Sequence, residues 1–173
     1  MAASLLIMVS GITARSKKHE ASRPELLKQQ KSLVQLRDDL VTLAAEDAAS
    51  YDLVMESMRR GKQNPGKSSE DAVQDALLKA AKVPMATAEE CLRILNISIK
   101  IAELGTKSAT SDVGVAVLLA TAGFKGAAMN VRINTKYISD KDAVEALERD
   151  LGPLERKAED AAVNALALLS KGG

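Results

Sequence analysis

The segment that most restricts the fold of this chain runs from Ser111 to Asn134, SDVGVAVLLATAGFKGAAMNVRIN. Its periodicity predicts a helix with one stripe of small residues, namely Ala116, Ala120, Gly123 and Ala127. A glycine inside a helix costs about 1 kcal/mol relative to alanine, and this segment contains several glycines. A chain tolerates that cost where another backbone or a flat ligand must approach closely. We therefore expect tight helix packing near Gly123, with a slot that fits a flat ring.

The rest of the chain also favours helices over strands. Hydrophobic residues make up 46% of the sequence, yet it has only two Tyr, one Phe and no Trp. A core must then come from Ala, Leu, Ile, Val and Met, which mostly favour helices. Only four prolines occur, and β-branched residues do not alternate with polar ones over a strand length. We predict one all-α domain over residues 1–173, which is long enough to bury a core.

Periodicity and stop signals divide the chain into about six helices packed as an antiparallel bundle. Gly61 and the turn-rich segment after it end the second helix. Val83 and Pro84 separate the third helix from the fourth, because the residue before a proline avoids the helical region. A kink is expected at Gly152 and Pro153. The predicted helices are 1–14, 22–60, 68–82, 84–104, 111–134 and 139–170.

Composition argues against several classes of partner. The 24 Lys and Arg residues nearly balance the 23 Asp and Glu residues, and the resulting net charge of +1 is too small to attract nucleic acid. Aromatic side chains on which bases could stack are also scarce. One Cys and one His cannot form a usual zinc site, although a carboxylate-only metal site stays open. The apolar start, residues 1–14, lacks a basic flank and is shorter than the ~20 residues that span a bilayer. We expect no metal, no nucleic acid, no membrane and a cytoplasmic location, which the single Cys91 also fits.

Four motifs then occur together in a familiar order. They are Lys17-Lys18 after an apolar helix, EDAASYDLVM (Glu46 to Met55), AAKVP (Ala80 to Pro84) and the long block from Ser111 to Asn134. In order and spacing the chain resembles the cyclodeaminase/cyclohydrolase family, which comprises formiminotetrahydrofolate cyclodeaminases and bacterial methenyltetrahydrofolate cyclohydrolases. The resemblance extends from the first residue to the end of the bundle, and the last block is the most specific part of it.

The resemblance implies a homodimeric, all-helical folate enzyme without a metal or a tightly bound cofactor. Its substrate would be a tetrahydrofolate derivative. The reaction would be either loss of ammonia from 5-formiminotetrahydrofolate or hydrolysis of 5,10-methenyltetrahydrofolate. Both reactions pass through a cyclic carbon flanked by two nitrogens, and the sequence leaves the choice between them open.

The resemblance also implies catalytic roles for Lys17, Lys18 and Asp112. A lysine near the folate could donate a proton to departing ammonia or polarise a water molecule. The carboxylate of Asp112 could stabilise the cationic carbon or accept a proton from water. For the two lysines, the alternative is a solvated basic turn after a helix. For Asp112, the alternative is an N-cap pair formed with Ser111.

Substrate binding is implied for Ser111, Gly123, Asn130 and Asn134. The i, i+4 spacing of the two asparagines places both amides on one helix face, where they could bind the donor and acceptor edge of a pterin. Alternatively, such an amide bridges two helices. Arg132 either faces solvent or meets a substrate carboxylate. Elsewhere, we expect Tyr51, Met55 and Met58 to be packing residues.

The chain departs from the family pattern in three places, two of which support a second interpretation. Family members begin with a further segment that holds a Pro-Gly-Gly-Gly-Ser turn, so this chain is expected to be N-terminally truncated relative to them. The segment GTKSAT (Gly105 to Thr110) stands where the family has GNPNA, and RSKKH replaces GKKKY, which puts His19 at a tyrosine position. The missing turn and the altered GTKSAT segment favour a catalytically degenerate relative that acts as a binding or scaffold protein.

Overall fold

The computed structural model describes residues 1–171, and all of its regular structure there is helical. The all-α prediction is therefore confirmed, but five α-helices occur in the described part where about six were expected. The helices are α1 (Ala2–Arg15), α2 (Arg23–Gln63), α3 (Lys67–Leu104), α4 (Thr110–Thr135) and α5 (Lys141–Lys171), with 3₁₀ turns at Lys17–Ser22 and Lys107–Ala109. Short connections make successive helices antiparallel neighbours.

The difference in helix count arises at Pro84. The sequence predicts a break there, yet α3 continues from Lys67 to Leu104 with Pro84 buried in its interior. A proline inside a helix removes the hydrogen bond to the carbonyl four residues earlier, which here is the carbonyl of Ala80. The side chain of Asn134 donates to that carbonyl instead, at 2.9 Å. A donor from α4 thus replaces the missing backbone donor of α3.

Helix α4 is the centre of the bundle. It packs against α1, α3 and α5, and its inward face is buried, including Val117, Ala120 and Phe124. By length and composition, the segment Lys107–Thr135 could cross a membrane, with a mean hydropathy of 1.4 over its most apolar window. Its inward face forms part of the core of this bundle.

The close approach predicted at Gly123 is present as packing between α4 and α3. A Cβ atom built on Gly123 would lie 3.1 Å from the Sγ atom of the buried Cys91. The thiol therefore fills the space beside Gly123, where we expected a slot for a flat ring. The glycine serves helix packing at this point, and ring-sized cavities lie elsewhere.

Candidate functional site

Four of the predicted site residues lie at one end of the bundle, which we call the lysine end. Lys17 and Lys18 are exposed in the 3₁₀ turn between α1 and α2, while Ser111 and Asp112 lie in the first turn of α4. The two turns are joined, because the backbone N–H of Thr106 donates to Thr13 Oγ1 at 3.2 Å.

The start of α4 does not fit the alternative in which Ser111 and Asp112 cap the helix. Helix α4 begins at Thr110, its N-cap position is Ala109, and no side-chain hydrogen bond caps it. Neither Ser111 nor Asp112 is therefore an N-cap. Asp112 is half-buried and lies in the first turn, where the helix dipole favours a negative charge. Its carboxylate is thus not used for capping.

The two predicted amide residues lie at the opposite end of α4. Asn130 and Asn134 line a groove of about 440 Å³ between α2, α3 and α4. We call it the amide groove. The remaining lining residues come from α2, from α3, from α4 and from the turn after α4: Asp47, Ser50, Tyr51, Val54, Met55, Met58, Leu77, Ala80, Ile133 and Tyr137.

The amide groove combines an apolar floor with a polar and aromatic rim. Val54 and Leu77 are buried, whereas Tyr51 and Tyr137 are largely exposed at the edge. The rim residue Tyr137 is held by Gln74, whose side-chain amide donates to the Tyr137 carbonyl at 3.3 Å. Ligand sites typically have volumes of about 300 to 1,000 Å³ and a few polar groups on apolar walls. The groove therefore suits a flat heterocycle with donors and acceptors along one edge.

Asn134 performs a structural task in this groove. Its Nδ2 atom donates to the Ala80 carbonyl, which matches the alternative of an amide that bridges two helices. Its Oδ1 atom is then the part that can accept a hydrogen bond from a ligand. Asn130 is exposed on the same wall, so its whole amide can face a bound molecule.

Several groove residues were missed or misassigned by the sequence analysis. Asp47 and Ser50 were not singled out, and Met55 was expected to be a packing residue, although it is 49% exposed in the groove. The signal was present in the sequence. Asp47, Tyr51 and Val54 recur at helical spacing on one side of α2, within the EDAASYDLVM motif.

The structure does not bring the two sets of residues together within one chain. At 1.5 Å per residue, the 18 residues from Asp112 to Asn130 along α4 span about 27 Å. Gly123 lies between them, against Cys91. The predicted catalytic groups and the predicted binding amides therefore occupy opposite ends of a single protomer.

Charged side chains near the groove are paired across helices. Arg132 donates to both carboxylate oxygens of Glu155 in α5, at 2.7 and 2.8 Å, and lies 3.4 Å from Glu148. The hydrogen bonds from Arg132 lower the pKa of Glu155. Arg132 thus joins α4 to α5 and is not directed at the groove. In the part of the chain that the structure describes, no group of three His, Cys, Asp or Glu side chains could hold a metal ion.

Comparison with known proteins places this geometry among folate enzymes. Residues 1–152 match the family model described as formiminotransferase-cyclodeaminase. The chain is 32% identical over 160 residues to a methenyltetrahydrofolate cyclohydrolase from Methylorubrum extorquens, covering 91% of this chain and 77% of the relative. It is 28% identical to a formimidoyltransferase-cyclodeaminase from Gallus gallus over 141 residues, which are 80% of this chain and 26% of that longer protein.

A solved structure has the same fold. The formiminotetrahydrofolate cyclodeaminase from Thermotoga maritima superposes with a TM-score of 0.90 and 30% sequence identity. The match covers 99% of this chain and 82% of the other. The arrangement of the five helices is therefore that of a known folate enzyme.

Proposed function

Because the chain belongs to the formiminotransferase-cyclodeaminase family, we propose that it is an enzyme acting on the one-carbon unit of a reduced folate. The reaction is either release of ammonia from 5-formiminotetrahydrofolate or hydrolysis of 5,10-methenyltetrahydrofolate. The observation that carries this proposal is the amide groove, because its volume, apolar floor and amide wall suit a pterin ring.

The groove offers complementary partners for the edge of a pterin. The ring presents an amino group and a ring N–H as donors beside a carbonyl acceptor. The carboxylate of Asp47 and Asn134 Oδ1 can accept from the donors, and Asn130 Nδ2 can donate to the acceptor. Tyr51 and Tyr137 provide aromatic surface at the rim for the flat ring.

The chemistry requires a negative charge and a proton donor near the one-carbon unit. In the deaminase reaction, N10 attacks the formimino carbon, and the imino nitrogen gains the proton of N10 and one further proton. The bond from the carbon to that nitrogen then breaks, so that ammonia leaves and the cationic methenyl carbon is formed. In the hydrolase reaction, water adds to the same cationic carbon, a proton is lost and the ring opens. Asp112 would stabilise the cation and accept the proton from water, and Lys17 or Lys18 would protonate the leaving nitrogen.

We also propose that the enzyme is a cytoplasmic homodimer that needs no metal and no tightly bound cofactor. An exposed apolar face on α4 supports self-association, since Val115, Leu118 and Met129 are each about half exposed or more. The reduced, buried Cys91 fits a reducing compartment.

One observation favours the alternative of a degenerate relative that binds folate without turning it over. Thr106 and Ser108 stand where the family has asparagines, and their hydroxyl oxygens lie 3.2 Å apart in a hydrogen bond with each other. The two hydroxyl groups that replace the asparagines are thus bonded to one another.

A binding and turnover experiment tests both candidates. A thermal-shift titration with 5-formyltetrahydrofolate measures binding, and the absorbance of the methenyl compound measures turnover. We expect a ligand-dependent rise in Tm for the wild type. Turnover should be lost in Asp112→Ala and in Lys17→Ala. The matched control is Lys28→Ala, which removes an exposed lysine of α2 and should keep turnover. Binding without turnover in the wild type would favour the degenerate relative, and absence of both would refute the proposal.

A further inference from the structure

The side-chain amide of Gln74 bonds twice to the connection between α4 and α5. Its Nε2 atom donates to the Tyr137 carbonyl at 3.3 Å, and its Oε1 atom accepts from the backbone N–H of Ser139 at 2.7 Å. Only this orientation of the amide satisfies both partners, because the carbonyl needs a donor and the N–H needs an acceptor. One side chain of α3 therefore holds two backbone groups that lie 63 and 65 positions further along the chain.

The two bonds lie on either side of Ile138. The side chain of Ile138 is buried and belongs to the hydrophobic core. Tyr137, the residue before it, is largely exposed and lines the amide groove. The connection is thus fixed by a buried side chain and by the amide of Gln74, while the ring of Tyr137 stays at the rim of the groove.

The two ends of the connection are closed by bonds of α4 and α5. The backbone N–H of Tyr137 donates to the Asn134 carbonyl at 3.3 Å, which is a long and therefore weak hydrogen bond. At the other end, Asp140 Oδ1 accepts from the backbone N–H of Ala143 at 3.1 Å and fixes the start of α5. The 2.7 Å bond to Gln74 is shorter than either, so Gln74 is the firmest of these attachments.

Gln74 lies beside the amide groove without lining it. Leu77, which is buried in the floor of the groove, follows Gln74 by three positions, so the two residues share one side of α3. Gln74 lines a neighbouring cavity of about 310 Å³ next to the connection between α2 and α3, and Met58 lines both this cavity and the groove. An effect of Gln74 on a molecule in the groove must therefore pass through a groove residue.

The residue that Gln74 holds carries one of the few aromatic rings of the chain. The sequence has two Tyr, one Phe and no Trp, and both tyrosines, Tyr51 and Tyr137, line the amide groove. An aromatic ring packs well on a flat heterocycle. A ring that is already held in place loses less conformational entropy when the ligand binds, so fixing Tyr137 before binding raises affinity.

We propose that Gln74 is a positioning residue, which holds Tyr137 at the rim so that its ring packs on the folate bound in the amide groove. This inference rests on the proposed function. Because Gln74 acts on a contact to the bound ring and not on the bonds that break, its loss should raise KM and leave kcat unchanged.

The first test measures binding in a double-mutant cycle. Gln74→Met keeps the length of the side chain and removes both hydrogen bonds. By isothermal titration, we expect the Kd of 5-formyltetrahydrofolate to rise about twofold to tenfold, the range that one aromatic contact supports. In a Tyr137→Ala background, the same change should have no further effect. The matched control is Gln35→Met, because the amide of Gln35 bonds only to Asp39 of its own helix, α2.

Two results of this cycle would overturn the proposal. One is a Kd that Gln74→Met leaves unchanged, and the other is an equal loss of affinity with and without the Tyr137 ring. Gln74→Glu is a second variant in case Gln74→Met does not fold. It keeps the acceptor for Ser139 and removes the donor to the Tyr137 carbonyl, and the same results are expected.

The second test observes Tyr137 without any ligand. Tyr51→Phe leaves Tyr137 as the only tyrosine in a chain without Trp, so tyrosine fluorescence then reports on Tyr137 alone. In this background Gln74→Met should lower the fluorescence anisotropy, and Gln35→Met should not. An unchanged anisotropy would show that Gln74 does not hold the ring and would refute the proposal. If the wild type binds no 5-formyltetrahydrofolate, the proposed function fails together with the role of Gln74 in binding, while the anisotropy still decides whether Gln74 holds Tyr137.

Discussion

The side-chain amide of Asn134 replaces, for the carbonyl of Ala80, the backbone donor that Pro84 lacks. The Asn134 Nδ2 atom lies 2.9 Å from the Ala80 oxygen, and the residue four positions after Ala80 is the proline inside α3. A buried carbonyl without a partner is costly. The AAKVP motif of α3 and the last asparagine of α4 therefore form one structural unit that also shapes the wall of the amide groove.

The first prediction concerns the stability that this bond provides. Asn134→Asp keeps the side-chain shape but replaces the donor with an acceptor, so we expect the free energy of unfolding to fall by about 1 to 3 kcal/mol. In the background of Pro84→Ala, which restores a backbone N–H at position 84, the same change should cost less. Chemical denaturation of the four proteins gives the coupling. Equal costs in both backgrounds would show that Asn134 does not compensate for Pro84.

A second prediction concerns the contact between Gly123 and Cys91. Alanine gains about 1 kcal/mol over glycine within a helix, but a Cβ atom at Gly123 would lie 3.1 Å from the thiol. At Gly114 the nearest atom is Leu169 Cδ1, at an ordinary 3.7 Å. Gly114→Ala should therefore stabilise the protein, and Gly123→Ala should gain less or lose stability.

The control for this prediction removes the thiol. In a Cys91→Ala background, Gly123→Ala should recover the helical gain of about 1 kcal/mol, measured as a rise in Tm relative to Cys91→Ala alone. If Gly123→Ala behaves identically with and without the thiol, the tight contact is not what requires a glycine at this position.

A third prediction tests whether the amide groove binds folate. Met55 is exposed in the groove, while Leu53 is exposed on the same helix outside it. Met55→Trp should fill part of the groove and weaken binding of 5-formyltetrahydrofolate by at least about tenfold, equivalent to about 1.4 kcal/mol. Leu53→Trp should bind normally, since it adds the same bulk elsewhere. Isothermal titration measures both, and equal affinities would place the ligand outside the groove.

The sequence predicts the fold well where the signals are local. Helical periodicity and the absence of strand patterns identify α1, α2, α4 and α5 with ends close to those observed. The predicted break at Pro84 is wrong because the compensating donor, Asn134, belongs to another helix. No local pattern reports such a long-range bond.

The site was predicted less completely than the fold. The motifs predict site roles for Asp112 and Asn130, yet the helix rise separates these two residues by about 27 Å within one chain. Asp47 and Ser50 were missed because a polar residue on a long helix usually faces solvent. Only the packing of α2 against α3 and α4 shows that these two line a groove.

A fourth prediction concerns the reactivity of Cys91. Burial raises the pKa of its thiol to about 11, so at pH 8 about one molecule in a thousand carries the reactive thiolate. The native protein should react very slowly with a thiol-specific disulfide reagent, and the unfolded protein should react at once. Fast labelling of the native protein would show that the contact with Gly123 opens readily.

A last prediction follows from the pairing of Arg132 with Glu155. The hydrogen bonds from Arg132 lower the pKa of Glu155 below the ordinary value of 4.5 for a glutamate, so the folded protein binds fewer protons than the unfolded protein in that range. The pair therefore stabilises the fold above pH 4.5, and this contribution is lost as the pH falls through the lowered pKa. Because both side chains are partly exposed, the effect should stay below about 1 kcal/mol. Glu155→Gln should lower Tm at pH 7, and this effect should shrink as the pH falls through the lowered pKa of Glu155. Asp150→Asn is the control: its carboxylate lies 3.9 Å from Arg149 at the surface, so this change should leave Tm the same across that pH range. A Glu155→Gln effect that does not change with pH would mean that packing, and not charge, joins α4 to α5 at this point.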